Sequence, residues 1–235
     1  FDSLDIFIHS FGINHLAQLN LLQYAYPDAT NAIVIDFGDE ITNVIVAEGK
    51  RTWGRTLLTG GAKLSRMLQD ELAIDLMAAE KVKHALSFKA GSQPINQQAL
   101  TVAALFLTDL LSEIKRTISF YLSSSRTSEI NTIFITGGLT HIEGLDAVIA
   151  HQLDTQTRHL LWQESFRVDA PAQNLLSHEG HSFSAAAGLA VTECSKSTLR
   201  INLLPQSERN RRFVALYKNV LFASAAIVLI VLVLT

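Results

Sequence analysis

Between Val220 and Thr235 no residue carries a charge, and the stretch AAIVLIVLVL is apolar without a break. No other feature narrows the fold of this chain as much. An α-helix rises about 1.5 Å per residue, and a bilayer core takes about 20 residues to cross. The uncharged run, 220 to 235, falls slightly short of that. Adding Phe213 to Asn219, with the Lys218 ammonium reaching back to the interface, brings it close to a full span. The sequence stops inside the run, so the span is expected to continue past Thr235. Arg209, Arg211, Arg212 and Lys218 stand at its start. Positive charge flanking a span stays on the cytoplasmic side. Residues before about 212 are therefore expected in the cytoplasm, and whatever follows Thr235 outside. A buried core helix is the other way to place such a run. An all-round apolar surface with a basic flank favours the span.

The rest of the chain has the composition of a globular domain. Of its 235 residues 48% are apolar, enough to bury a sizeable core. The formal net charge of −3 argues against a nucleic-acid binder, which would carry a basic excess. A single cysteine, Cys194, excludes an internal disulfide and suits a reducing compartment. The chain opens at Phe1 with no initiator methionine, which reads as a fragment or a processed product.

Hydrophobic spacing predicts a helix over 12–25, ended by Pro27-Asp28. Three strands follow in a meander, 32–37, 41–47 and 52–58, with a hairpin turn at Glu48-Gly49-Lys50. After Gly60-Gly61 come two helices, one carrying Leu64, Met67, Leu68 and Leu72, the other starting near Asp75. Residues 89–96 read as a loop. Leu100, Ala104, Leu107, Leu111, Ile114, Ile118 and Tyr121 mark a long helix. Their spacing also fits a coiled coil. Leu105, Phe106 and Leu110 make the other side apolar too and favour a packed core helix. A strand is expected at 132–136 and a helix at 144–152. The small residues of 184–191 suggest a helix lying close on a sheet. Residues 155–180 carry no clear period.

Three features could carry chemistry. The first is the turn Asp36-Phe37-Gly38-Asp39-Glu40-Ile41-Thr42-Asn43 between two strands. Such a turn can aim backbone N–H groups and a hydroxyl at a phosphate, and its Asp can hold hydrated Mg²⁺. Asp-x-Gly also makes ordinary hairpins. The second is Ile135-Thr136-Gly137-Gly138, where paired glycines let backbone approach a flat ligand or simply make a strand-to-helix turn. The third is Glu80 with Lys83, three residues apart on one helix face. They could hold ribose hydroxyls or form a solvated ion pair. His178 and His181 lack the spacing of a helical zinc motif, and Cys194 has no evident basic partner.

In this order the features resemble the second half of the actin-like ATPase superfamily, an α/β fold of ribonuclease H-like topology. The stretches LMAAEKVKHAL, EIKRTISFY and IFITGGLTHIEGL are most similar to the PilM family. Those are cytoplasmic actin-like proteins of type IV pilus assembly, related to the cell-division protein FtsA. The resemblance covers roughly residues 12–191. It implies that Asp36, Gly38 and Thr42 face phosphate and Mg²⁺, Glu80 and Lys83 the ribose or base, and Gly137 and Gly138 the adenine of ATP. No residue is assigned a catalytic role.

A second resemblance lies in RINLLPQSERNRR ahead of the apolar run, which is similar to the start of PilN, whose INLLP segment binds PilM. Ile201, Asn202, Leu203, Leu204 and Pro205 are then the partner-docking residues. The secretion protein GspL joins the same two parts in one chain, and the pilus protein MshI is a further candidate relative. The implied organisation is a half-domain over 1–192, a cytoplasmic linker over 193–212 and a truncated transmembrane helix over 213–235. Its place is the bacterial inner membrane, as a single-pass protein. The implied partners are pilus or secretion assembly proteins of PilN or PilO type, with self-association as a further expectation.

Two departures bear on activity. The first half of the superfamily fold, with its own phosphate loop, has no counterpart here, so the ATP and Mg²⁺ site is expected to be incomplete. Asp39 and Glu40 also set negative charge beside a phosphate. At 4–6 Å and an effective dielectric near 20, each such pair costs about 3–4 kcal/mol before screening. The expectation is a scaffold that holds nucleotide as a structural ligand; the alternative is a membrane-associated ATPase that hydrolyses ATP or polymerises as FtsA-like proteins do. For the topology, a reporter fused after residue 200 is expected to act as a cytoplasmic reporter, and periplasmic activity there refutes the orientation.

Overall fold

The computed structural model describes residues 8, 10–49, 51–89, 91, 96–125, 130–194, 199–208, 210, 217, 220, 222–224, 226 and 231–232. They divide into two compact units. The larger is Asn14–Leu199; the smaller joins Phe1–Ile13 to Arg200–Thr235.

In the larger unit α1 (Asn14–Ala25) leads into β1 (Asn31–Phe37), β2 (Thr42–Glu48) and β3 (Arg51–Leu57). Then come α2 (Gly61–Leu72), α3 (Leu76–His84) and the long α4 (Gln97–Ser124). β4 (Thr132–Thr136), α5 (Leu145–Leu153), β5 (Thr157–His159), α6 (Ala170–Glu179) and α7 (Ser184–Cys194) complete it. The five strands form one sheet in the order β3-β2-β1-β4-β5. β1, β2 and β3 are antiparallel neighbours, and β4 runs parallel to β1 and β5.

Successive residues of a strand face opposite sides. Ile33, Ile35 and Phe37 of β1 enter the larger core with Leu64 and Leu68 of α2 and Leu107, Leu111 and Ile114 of α4. Ala32 and Val34 enter a second core with Leu19, Leu21 and Leu22 of α1 and Val191 of α7. Because both faces are covered, β1 and β2 read as continuous apolar runs.

α4 is a packed core helix, as its composition suggests, and Leu107, Leu111, Ile114 and Tyr121 of the expected face are buried. Ala99, Ala103, Phe106, Leu110, Ile114, Thr117 and Tyr121 are buried in it. Leu105, expected inside, is 60% exposed. At its far end the Tyr121 hydroxyl donates to the Glu48 carboxylate. Burial and that neighbouring charge push the phenol up to about 12.

Residues 155–180, without a clear period in sequence, hold β5, α6 and a 3₁₀ turn at Trp162–Ser165. β5 is three residues long, too short for an alternation to show. The expected membrane helix, 213–235, lies mostly outside the described residues, as do Lys50 of the hairpin turn and most of the loop 89–96. Among the described residues no helix is long and apolar enough to cross a membrane.

α1 and α7 pack closely across the second core. A Cβ built on Gly188 of α7 would stand 2.1 Å from the Ala17 carbonyl oxygen, so only glycine permits this approach. Gln18 donates to the Ser184 hydroxyl at 3.0 Å, and Asn20 donates to the Thr192 hydroxyl at 2.7 Å. Replacing Gly188 with Val should force the helices apart and lower stability by at least about 1–3 kcal/mol. Urea denaturation checks this; an unchanged midpoint would mean the close approach is unimportant.

Candidate functional site

The parallel pairing of β1 with β4 sets Asp36 beside Thr136, so the turns that leave the two strands lie side by side. The first turn, Gly38 to Ile41, is closed by the Gly38 N–H, which reaches Ile41 O at 3.0 Å and Asp36 O at 3.2 Å. It packs directly on the start of α2. A Cβ on Gly60 would meet Asp39 O at 2.3 Å and Gly38 O at 2.5 Å. Gly61 N–H donates to Gly38 O at 3.0 Å, and Ala62 N–H to Asp39 O at 2.9 Å. The first N–H groups of a helix usually lack partners; here the turn supplies carbonyls for them.

Thr42 is fully buried, and its hydroxyl donates to Thr59 O at 2.7 Å. The Gly38 N–H and the Thr42 hydroxyl, both expected to face a phosphate, are thus turned inward as placed. Glu40, expected to burden a phosphate, stands at the surface with its carboxylate 3.7 Å from Arg66.

Glu80 and Lys83 on α3 form an ion pair at 2.8 Å. Lys83 is 8% exposed while the Glu80 side chain keeps 38%, so the ion pair forms half-buried rather than fully solvated. Ser65 on α2 donates to Glu80 Oε1 as well. Burial pushes the Glu80 carboxyl up, but the hydrogen bonds from Lys83 and Ser65 and the charges of Lys83 and His84 outweigh it and hold the group below its ordinary value. Gly61 marks where the parts meet. A Cβ there would lie 3.4 Å from Lys83 Nζ and 3.5 Å from both Asp39 Oδ1 and Leu139 Cδ2.

The second turn begins at Gly137, whose φ of +93° favours glycine. A Cβ there would also strike Phe37 O at 2.4 Å. Gly138 differs: a Cβ on it meets nothing within 4 Å. So Gly137 is needed for the packing of the two turns, while Gly138 borders open space. The loop is held from behind by His181, whose carbonyl accepts from Gly137 N–H at 3.2 Å and from the Thr136 hydroxyl at 3.0 Å.

Asp36 and residues with little or no signal in sequence complete the region. Asp36, 8% exposed, accepts on Oδ2 from Asn14 at 3.1 Å and from Asn43 at 3.4 Å. Asn43 Oδ1 accepts from Thr56 at 2.8 Å and lies 3.1 Å from His15 Nε2. The β-hairpin register alone could have suggested Asn43 and Thr56; nothing local points to Asn14 or His15. On the other side His181 Nε2 lies 2.8 Å from His141 Nε2, and His141 is 3.4 Å from Glu179. Among the described residues no group of three potential ligands is arranged to hold a metal.

The partner-docking segment belongs to the smaller unit. Leu203 N–H donates to Phe11 O at 2.8 Å, and Phe11 N–H to Asn202 Oδ1 at 3.0 Å. Asn202 Oδ1 also accepts from Leu204 N–H at 2.9 Å. Ile201 and Leu203 are exposed, Leu204 is buried, and Pro205 opens a short helical turn. The segment expected to dock is thus paired, within the smaller unit, with its own chain at Phe11.

Residues 6–194 match the family model described as type IV pilus assembly protein PilM. The chain belongs to the PilM family. A solved PilM–PilN type IV pilus biogenesis complex superimposes with a TM-score of 0.63 at 23% identity, over 76% of this chain and 51% of that one. A non-polymerising MamK mutant bound to AMPPNP gives 0.53 at 17% identity, over 73% and 56%. MreB5 of Spiroplasma citri bound to AMPPNP gives 0.55 at 13% identity, over 77% and 57%. The fold of this PilM-family chain is therefore actin-like. The chain spans about half the length of the solved structures it matches.

Acid should loosen the loop at Gly137. Burial and the charge of His141 push His181 down to about 4, with Glu179 opposing and His159 adding to the shift. The unfolded imidazole titrates near 6.5. A folded value below the unfolded one means that the unfolded chain binds more protons between the two. The contribution to stability is complete above about pH 6.5 and is lost as pH falls toward 4. Glu80, also lowered, adds a loss at more acid pH. Thermal melts should show a lower midpoint at pH 5 than at pH 7, and His181→Gln should flatten that difference. An equally steep dependence in the variant would assign it elsewhere.

Proposed function

We propose that this chain is a membrane-anchored scaffold of a type IV pilus or type II secretion assembly platform, holding nucleotide as a structural ligand rather than turning it over. The observation that carries the reading is the inward commitment of the phosphate-facing turn. The Gly38 N–H and the Thr42 hydroxyl are already bonded within the protein, at 3.0 Å and 2.7 Å. A turnover enzyme needs donors aimed at the charge that develops during reaction. Here a phosphate would have to draw them out of existing bonds. For the same reason the FtsA-like ATPase reading has less support.

A nucleotide would use the groups that remain. The buried Lys83 with Glu80 lies beside Gly61, and Gly138 borders open space on the next turn. Those positions suit ribose and base. MamK and MreB5, with the same fold, were solved with AMPPNP bound, which supports ATP as the ligand. Asp36 fits a hydrated Mg²⁺: Oδ2 takes two N–H groups, and among the described residues Oδ1 takes none. The ion would supply charge neutralisation at the phosphates.

PilN- or PilO-like proteins are the proposed partners, in keeping with the PilM–PilN complex of the same fold. The segment Ile201–Pro205 would dock either in its own chain or in a neighbour. The pairing of Leu203 with Phe11 supports the first arrangement. The basic cluster before residue 220 supports an inner-membrane anchor with the domain in the cytoplasm.

Gly138→Leu should leave the melting midpoint within about 2 °C, since its side chain enters open space. Ligand-observed NMR at millimolar ATP should show binding to the parent chain and at least a tenfold weaker signal for the variant. Turnover should stay near the uncatalysed background in both. Undiminished binding by a folded Gly138→Leu protein, or steady ATP hydrolysis by the parent, would overturn the reading.

A further inference from the structure

Thr56, Asn43 and Asp36 are direct cross-strand neighbours on β3, β2 and β1. They point to the side of the sheet that α1 covers, where the next row is apolar: Val34 and Ile45 are 1% exposed. Asp36 and Asn43 are buried there, which is costly unless each is paired, while Thr56 at the edge is exposed. Asn43 is 3% exposed and uses both ends of its amide. Its oxygen accepts from Thr56 at 2.8 Å and faces His15 Nε2 at 3.1 Å; its nitrogen donates to Asp36 Oδ2 at 3.4 Å. Because the facing atom is an oxygen, His15 must carry its proton on Nε2. Asn14 adds a second N–H to the same carboxylate oxygen, at 3.1 Å.

Space is made for this arrangement. Gly54 sits beside the row on β3, and a Cβ there would stand 3.2–3.4 Å from the His15 ring. A side chain at 54 would push the imidazole off Asn43. The outcome is asymmetric: two N–H groups converge on one oxygen of Asp36. Among the described residues none reaches the other.

We propose that Asn14 and Asn43, with His15 and Thr56 behind them, are positioning residues that clamp one oxygen of Asp36 so that the other is presented to a hydrated divalent cation. The proposal rests on the reading of Asp36 as the cation-facing carboxylate of the nucleotide site. It adds the side chains that orient that carboxylate. An unclamped aspartate rotates about its χ angles and offers either oxygen in many directions. A clamped one is pre-set for a geometry-demanding ion such as Mg²⁺, which favours a carboxylate plus several waters.

Mn²⁺ is the probe, because its paramagnetism broadens nearby resonances even when binding is weak. The full chain, ¹⁵N-labelled and held in detergent, is titrated with Mn²⁺ alone. The parent should lose intensity first at the Gly38 amide and at the Asn14 and Asn43 side-chain amides, and Asp36→Asn should abolish the effect. Asn14→Ala and Asn43→Ala should each reduce broadening at Gly38 at least threefold while keeping a dispersed spectrum. Thr56→Val, which does not touch Asp36, covers the case in which Asn43→Ala fails to fold. It should reduce the effect about twofold, and Thr56→Ser should restore it. A merely structural role would lower the melting midpoint in these variants and leave Mn²⁺ where it was. Unchanged broadening at Gly38 in folded Asn14 and Thr56 variants, or broadening of the parent centred elsewhere, would overturn the proposal. The nucleotide reading is judged separately, by whether ADP without metal shifts the Gly138 amide.

Discussion

Between β1 and β4 the chain makes the whole excursion through β2, β3 and α2 to α4, yet the two strands pair in parallel over five positions, Ala32 with Thr132 through Asp36 with Thr136. Parallel strands cannot be joined by a tight turn, so the pair forms only when a long connection folds back over the sheet. α4 supplies that return, with its buried face on the core that Ile33, Ile35 and Phe37 also line. Everything near the candidate site depends on this contact. It sets the 38–41 turn beside the 137–141 turn and requires glycine at 137, where any side chain would strike Phe37 O. It also makes Asp36 a central-strand residue, with Asn43 on one side and Thr136 on the other.

The polar groups around that junction are used in two ways. Backbone donors of the first turn and of the α2 N-terminus pair with one another and stiffen the packing of turn on helix. Of the side-chain charges, the Lys83 ammonium is enclosed. Lys83 is buried but carries a carboxylate partner, and that carboxylate is in turn bonded by Ser65. Breaking such a pair strands a charge in a poorly solvated place, which is far more costly than the pair is stabilising. The donors and charges of this region are thus paired with one another within the protein. That arrangement is in keeping with the scaffold role we propose for this chain.

On the opposite face of the sheet, α1 does more than fill the core. Its Asn20 side chain bonds both backbone groups of Leu199, accepting from the N–H at 3.2 Å and donating to the carbonyl at 3.0 Å. An asparagine amide thereby imitates one step of a strand ladder, and it fixes the point at which the chain leaves the larger unit. The same helix gives Asn14 and His15 to the Asp36 network at its other end. One helix thus carries the contact with Leu199 and the contact with Asp36, about two helical turns apart along its axis.

Much of this could be read from sequence because it is local. The β1–β2–β3 meander follows from β-branched runs broken by Gly38 and Gly49. The closeness of α7 follows from its small residues, and the family from the order of its glycine turns and the Glu80–Lys83 spacing. Tertiary structure alone decided which face of α4 is buried, because Leu105 and Phe106 are equally apolar and only the sheet position separates them. It gave β5 its place, since three residues become a strand only when β4 offers an edge. It also fixed the direction in which Thr42 and Gly38 aim their donors, and it joined Asn14 to Asp36 across 22 positions of sequence and Thr56 to His15 across 41. Spacing along a chain records which residues share a helix face or a strand side. Which oxygen of a carboxylate is held, and by what, is settled only when distant elements meet.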